Sequence, residues 1–248
     1  MGQHGGSVDG RAAAIWGGTA LVVAAVSFMG VFGYLAATFD YPDVLAGSAA
    51  DVLPSLLALG ATGRSVWIVY ALLPLLLVPG GLGVHAALRA SAPNATRAAV
   101  VLATVAAMSM LVGLARWPTL HWQLALAWSA ASSEARQAIA PMFDGLNLYL
   151  GTFIGEFVGE IALNGFFACS AYALLRGGSR LGGVAGFTAA ALGLLAAFRN
   201  VTPAVAVVAE VDNYVLPIWL IVSGVLIARR SAAARTDPVP SSGGATVM

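Results

Sequence analysis

Apolar residues run through this chain in six blocks, separated by shorter polar or proline-bearing stretches: residues 12–39, 65–88, 98–115, 146–175, 183–201 and 205–228. A helix needs roughly 20 apolar residues to cross the hydrocarbon core of a bilayer, and each block is of that order. The pattern therefore predicts an all-α integral membrane bundle of six transmembrane helices. Asp40-Tyr41-Pro42-Asp43 stops the first helix, because Pro42 disfavours a helical residue before it and the aspartates favour water. Pro74 and Pro79 fall inside the second block and predict a kink or local unwinding. Arg116-Trp117-Pro118 closes the third.

Two weaker stretches lie between blocks. Residues 49–59 carry Asp51 and Pro54 and are too short to span. Residues 119–142 carry Trp122, Trp128, Glu134 and Arg136 and are too polar in their second half to cross. Both read as short interfacial helices, in the first and second external loops. Residues 1–11 and 230–248 read as disordered cytoplasmic tails flanking a membrane domain at 12–229.

Composition agrees with this class. The chain has 248 residues, 59% of them hydrophobic and 9% charged, against about 25% charged in soluble domains. A net charge of +1 gives no case for nucleic acid binding. Cys169 is the only cysteine, so no intramolecular disulfide can form. The basic residues are all arginine, which with the Ala, Gly and Val content points to a GC-rich bacterial genome. Six spans place both termini on one side, together with Arg11, Arg89, Arg97, Arg176, Arg180, Arg229, Arg230 and Arg235. Arg64, Arg116, Arg136 and Arg199 fall on the other. The arginine excess puts the termini in the cytoplasm, so the expected location is the bacterial inner membrane.

Chemistry concentrates on the fourth block. Glu156 and Glu160 are four residues apart and share a helix face, which Asn164 extends. Gly151, Gly155 and Gly159 form a small-residue row beside it. A charged group in hydrocarbon costs at least a few kcal/mol, so these carboxylates should face protein or water. Arg116, Arg199, Glu210, Asp212 and Asn213 fall at a similar level on other helices, and Asn147 opens the fourth. These nine polar residues are candidates for an outward-facing pocket that takes a small ligand, an ion or a proton. The alternative is a set of buried ion pairs that only fixes packing. In either case Glu156 is expected to pair with Arg116 or Arg199. The glycine row predicts a close helix crossing, with a neighbour in the chain, a second copy or another membrane protein. His85 and His121 lie near opposite faces, and no hydrolase, zinc-protease or phosphate-loop motif occurs, so neither a metal nor a cofactor is expected. Trp67, Trp117, Trp122 and Trp219 read as interfacial anchors.

Several short motifs occur in a familiar order. They are Phe39-Asp40-Tyr41-Pro42-Asp43, a proline-broken second span ending near His85, Gly113-x-x-Arg116-Trp117, Asn147-x-Tyr149-x-Gly151 with Gly155-Glu156, and Asn213-Tyr214-x-x-Pro217-x-Trp219 with Gly224. Across residues 12–229 the chain resembles the bacterial membrane family designated domain of unknown function 4386. The resemblance implies a multi-pass inner-membrane protein and carries no activity with it; residues 119–142 match none of its motifs. Three functions are open at this point. One is a non-enzymatic protein that binds a small ligand or moves ions or protons. The second is a structural or regulatory subunit of a membrane complex. The third is an intramembrane enzyme using Glu156 or Glu160 as general base.

Overall fold

The computed structural model describes residues 5–233, and every regular element in that range is helical. Helix α1 (Gly5–Phe39) leads through a turn at Asp43–Ala46 to the short α2 (Ala49–Ala58). Helices α3 (Gly60–Leu72) and α4 (Leu77–Leu88) form one crossing, tightened at Leu73–Leu76 where Pro74 interrupts it. Helix α5 (Pro93–Ala115) continues through a widened turn, Trp117–His121, into α6 (Trp122–Ala130). Helix α7 (Ser133–Leu146) runs through a long widened segment, Asn147–Val158, into α8 (Gly159–Arg176). Helices α9 (Arg180–Ala197) and α10 (Ala206–Ala233) complete the described chain.

Six stretches are long and apolar enough to cross a membrane: Gly10–Phe39, Gly60–Leu88, Pro93–Ala130, Ser133–Arg176, Arg180–Asn200 and Pro203–Arg230. The chain is thus an all-α integral membrane bundle of six spans, with the expected short helix after the first.

The boundaries differ from the sequence expectation in three places. The second span begins at Gly60 rather than residue 65, because Gly60 adopts a φ of 62° and makes the turn itself. The third does not end at Pro118. The helix widens there, with the His121 amide donating to the Arg116 carbonyl at 2.8 Å. Pro118 sits in the first turn of that segment, and its missing N–H removes a bond to the preceding turn of α5 where the winding widens. Residues 119–142 are therefore continuous with the third and fourth spans instead of lying apart from them, and Ser132 caps the entry to α7 through the Ala135 amide. Finally, helix runs into both segments expected as tails, from Gly5 and as far as Ala233. The rest of those tails, including Arg235, lies outside the described residues.

Helix α1 packs between α4 and α10, and α8 between α5 and α9. Two consecutive glycines let α1 approach both neighbours: a side chain at Gly17 would strike Gly83 and the Pro79 carbonyl, and one at Gly18 would strike the Gly224 carbonyl. The described ends of α1 and α10 share one end of the bundle with the loops after α4 and α8, where Arg230 donates to the Gly177 carbonyl at 3.0 Å. The opposite, distal end carries a second core of large aromatics. Trp67 and Trp117 are fully buried and stack at 4.9 Å, with Phe39 edge-on to both. Trp122 and Trp219 are buried as well. These four tryptophans are core residues rather than interfacial anchors. The turn after α1, the ends of α3 and α5, and α7 converge on Trp67 and Trp117, and burial plus ring contacts of about 0.5–1.5 kcal/mol each hold them there.

Candidate functional site

The carboxylates of the fourth span meet Arg199, which sits in the turn Phe198–Asn200 that ends the fifth. Its guanidinium takes Glu160 in a two-pronged pair, NH1 to Oε2 at 2.7 Å and NH2 to Oε1 at 2.6 Å. The same NH2 reaches Glu156 Oε2 at 3.2 Å. One cation therefore bridges two carboxylates a helical turn apart. Of the two arginines expected as partners for Glu156, Arg199 is the one that pairs, and Arg116 does not.

Arg116, at the end of α5, is 5% exposed. Its Nε and NH2 donate to the Asn147 side-chain oxygen at 3.1 and 3.0 Å, and its NH1 to the Gly113 carbonyl. Asn147 is held in turn by its own donation to the Leu45 carbonyl at 3.2 Å. The guanidinium lies over the Trp117 ring at 5.1 Å and against Gly151, where any side chain would collide with it. Every hydrogen-bond partner of this buried cation is neutral. Asp212, on α10, is the opposite case: it is 8% exposed and has no hydrogen bond or ion pair among the described residues.

These groups surround one cavity of about 410 Å³. Seven of the nine polar candidates line it: Arg116, Glu156, Glu160, Arg199, Glu210, Asp212 and Asn213. Glu210 and Asn213 are exposed at its rim. Asn147 stands behind Arg116 as its support. Asn164 is the exception. It is buried against Gly193 of α9, donates to the Glu160 carbonyl of its own helix at 2.9 Å, and takes no part in the cavity. The rest of the lining is mostly apolar and includes Ala24, Phe28, Leu77, Met110, Leu163 and Leu220.

The glycine row faces inward. Gly151 meets Arg116, Gly155 meets Gly113, and Gly159 meets Met110. Its close crossing is therefore with α5 of the same chain, and it offers no face to a second copy. His85 pairs with Thr96 at 3.0 Å, while His121 is buried between Trp117 and Phe143. Among the described residues no three His, Cys, Asp or Glu side chains gather in a way that could hold a metal ion.

Tyr41 and Tyr70 also line the cavity, and the sequence reading missed both. The signal was the Asp40–Asp43 stretch, used there only as a helix stop. Asp40 adopts a φ of 53°, a conformation that Asp tolerates, and Val44 then bonds back to its carbonyl at 2.9 Å. The chain folds over the bundle, and the Tyr41 ring packs edge-on to Trp67 and Tyr70. Burial pushes the Tyr41 phenol up to about 12, and the nearby Glu156 carboxylate acts in the same direction. The phenol is thus a neutral hydroxyl at any ordinary pH.

Fold and site together define a class: a six-span helical bundle enclosing an amphipathic cavity near its distal end. No family model, no curated protein and no solved structure matches the chain.

Proposed function

We propose that this protein binds a small amphiphilic molecule in the cavity, from the outer side of a bacterial inner membrane, with both termini in the cytoplasm. The carrying observation is a volume of about 410 Å³ lined by a small group of charged residues and a larger number of apolar ones. Ligand sites commonly occupy about 300–1,000 Å³ with few polar groups on a mostly apolar lining. Ion or proton movement is less well supported, because the wall at Leu77, Leu163 and Leu220 offers no polar steps toward the other end of the bundle. A general base at Glu156 or Glu160 is disfavoured by the guanidinium that both carboxylates share. The arginine distribution supports the orientation, and the order of motifs along the six spans supports membership in the domain of unknown function 4386 family.

The test is purification in mild detergent, solvent extraction and mass spectrometry, with Ala209→Phe as a variant that fills the cavity from its wall. A molecule that co-purifies with the native chain and is lost from a monodisperse Ala209→Phe protein is the expected result. Identical bound small molecules in both preparations, or none in either, would overturn the reading. Reporter fusions after Arg230 and within residues 129–136 check the orientation: a C-terminal reporter active in the periplasm would refute it.

A further inference from the structure

The cavity holds two buried charges of opposite sign, neither of them in an ion pair among the described residues, and they say what its ligand should carry. Arg116 has five N–H donors, of which three are used, on Asn147 and the Gly113 carbonyl. Two donors remain on a guanidinium that lines the cavity and is 5% exposed. An arginine at this depth with only neutral partners is costly within a membrane span. It is also built in place, by Asn147 anchored on Leu45 and by Gly151, whose lack of a side chain makes room for it. Asp212 lines the same cavity from α10, 8% exposed, with neither carboxylate oxygen hydrogen-bonded among the described residues. Arg116 and Asp212 make no ion pair with each other. Arg199 is engaged by Glu160 and Glu156 and makes no hydrogen bond or ion pair with Asp212.

We propose that the ligand is a small zwitterion on an apolar body, its carboxylate bound by Arg116 and its ammonium by Asp212, the chemistry of an apolar α-amino acid. A purely anionic ligand would leave Asp212 unpaired and would face Glu156 and Glu160. A purely cationic one would leave Arg116 unpaired. A zwitterion satisfies both and adds no net charge to the membrane interior. The apolar wall at Phe28, Met110 and Leu163 then takes the side chain. The volume suits a molecule of drug size or smaller, not a two-chain phospholipid.

This proposal rests on the cavity being a ligand site, and its test separates the two. Purified full-length protein is titrated with L-leucine, L-phenylalanine and L-tryptophan, and with phenethylamine and 3-phenylpropionate as probes lacking one charge each. Binding is read by calorimetry and by thermal stabilisation. At least one amino acid should bind, and each one-charge probe should bind about 10-fold or more weaker than phenylalanine, the loss expected for one charge-assisted hydrogen bond. Asp212→Asn should weaken the amino acid by a similar factor and leave 3-phenylpropionate unchanged. Arg116→Gln should do the converse with phenethylamine. Should Arg116→Gln fail to fold, Asp212→Asn and the probe series still decide. A one-charge probe binding as tightly as phenylalanine, an Asp212→Asn protein that binds the amino acid normally, or no binding by any of the three amino acids would overturn the proposal. Where the extraction experiment still yields a cavity-dependent molecule, the ligand site stands and only the zwitterion falls.

Discussion

Replacing Arg199 by Met should destabilise the bundle, and the loss should depend on Glu160 more than on Glu156. Breaking a fully buried ion pair typically costs about 3–5 kcal/mol, while exposed pairs are worth about 0–1 kcal/mol. The Glu160 side chain is 16% exposed and that of Arg199 31%, so this pair lies between those limits. Glu160→Gln should cost about 2 kcal/mol. Arg199→Met should cost about 3 kcal/mol, because it also leaves two like charges a helical turn apart. Making both changes should cost well under the sum, with a coupling of about 1.5–2 kcal/mol. The Arg199–Glu156 cycle should give about half of that, since a single 3.2 Å bond replaces two of 2.6 and 2.7 Å.

The assay is thermal unfolding of the detergent-solubilised protein, where 1 kcal/mol moves the midpoint by about 2–4 °C at this chain length. Glu160→Gln should therefore lower it by about 4–8 °C. A parallel cycle between Arg116 and Glu156 serves as the control and should couple more weakly than the Arg199–Glu160 cycle, because Arg116 bonds Asn147 and makes no ion pair with Glu156. Additive losses in the Arg199–Glu160 cycle, or a strong coupling in the control, would refute this assignment of partners.

Gly155→Ala should cost about 1–3 kcal/mol by forcing α5 off the fourth span at Gly113, read in the same unfolding assay. Trp67→Ala should cost about 3–5 kcal/mol and leave a distal core without its stacking partner for Trp117, visible as a loss of near-ultraviolet circular dichroism. Tyr41 ionises near pH 12 in the folded chain and near 10 when unfolded, so its share of stability is complete below pH 10 and is lost as pH rises from 10 toward 12. Tyr41→Phe should blunt the alkaline loss measured over that window, and an unchanged alkaline profile would contradict the burial of the phenol.

Much of the fold was legible because hydrocarbon thickness sets a length that the apolar blocks either meet or miss. Six do, and the tightened turn at Pro74 followed from the missing amide. The i, i+4 spacing of Glu156 and Glu160 was enough to put both on one wall. What the spacing could not say was which arginine reaches them, because Arg116 and Arg199 lie at the same level on different helices and only packing separates them. The tryptophans misled for a related reason. An interfacial ring and a ring buried just inside the interface occupy the same place in the sequence, at the end of an apolar block, and the fold-back at Asp40 that covers Trp67 leaves no hydropathy signal. Asn164 failed because a side chain eight residues beyond Glu156 has rotated far enough to meet α9 at Gly193 rather than the cavity.

The sequence left two alternatives for the intramembrane charges, a ligand pocket or ion pairs that fix packing, and the geometry supports assigning each to different residues. Glu156, Glu160 and Arg199 satisfy one another and join the fourth span to the end of the fifth. Arg116 and Asp212 are more deeply buried, yet neither is in an ion pair among the described residues. The widened segment Asn147–Val158 underlies this division. Such i→i+5 winding is rare and recurs at functional sites. Here it carries Asn147, which fixes Arg116, and Gly151, which admits it, into register with Glu156 on the same wall. A cation kept for a ligand carboxylate is not required by the empty fold, whereas one kept for packing is. Arg116→Met should accordingly cost the ligand-free protein no more than about 1–3 kcal/mol, for the Asn147 oxygen left without its donor, while abolishing binding. A large loss of stability in the ligand-free state would instead show that the empty fold needs Arg116 as a cation, and the ligand carboxylate would then be decided by the probe series and Asp212→Asn.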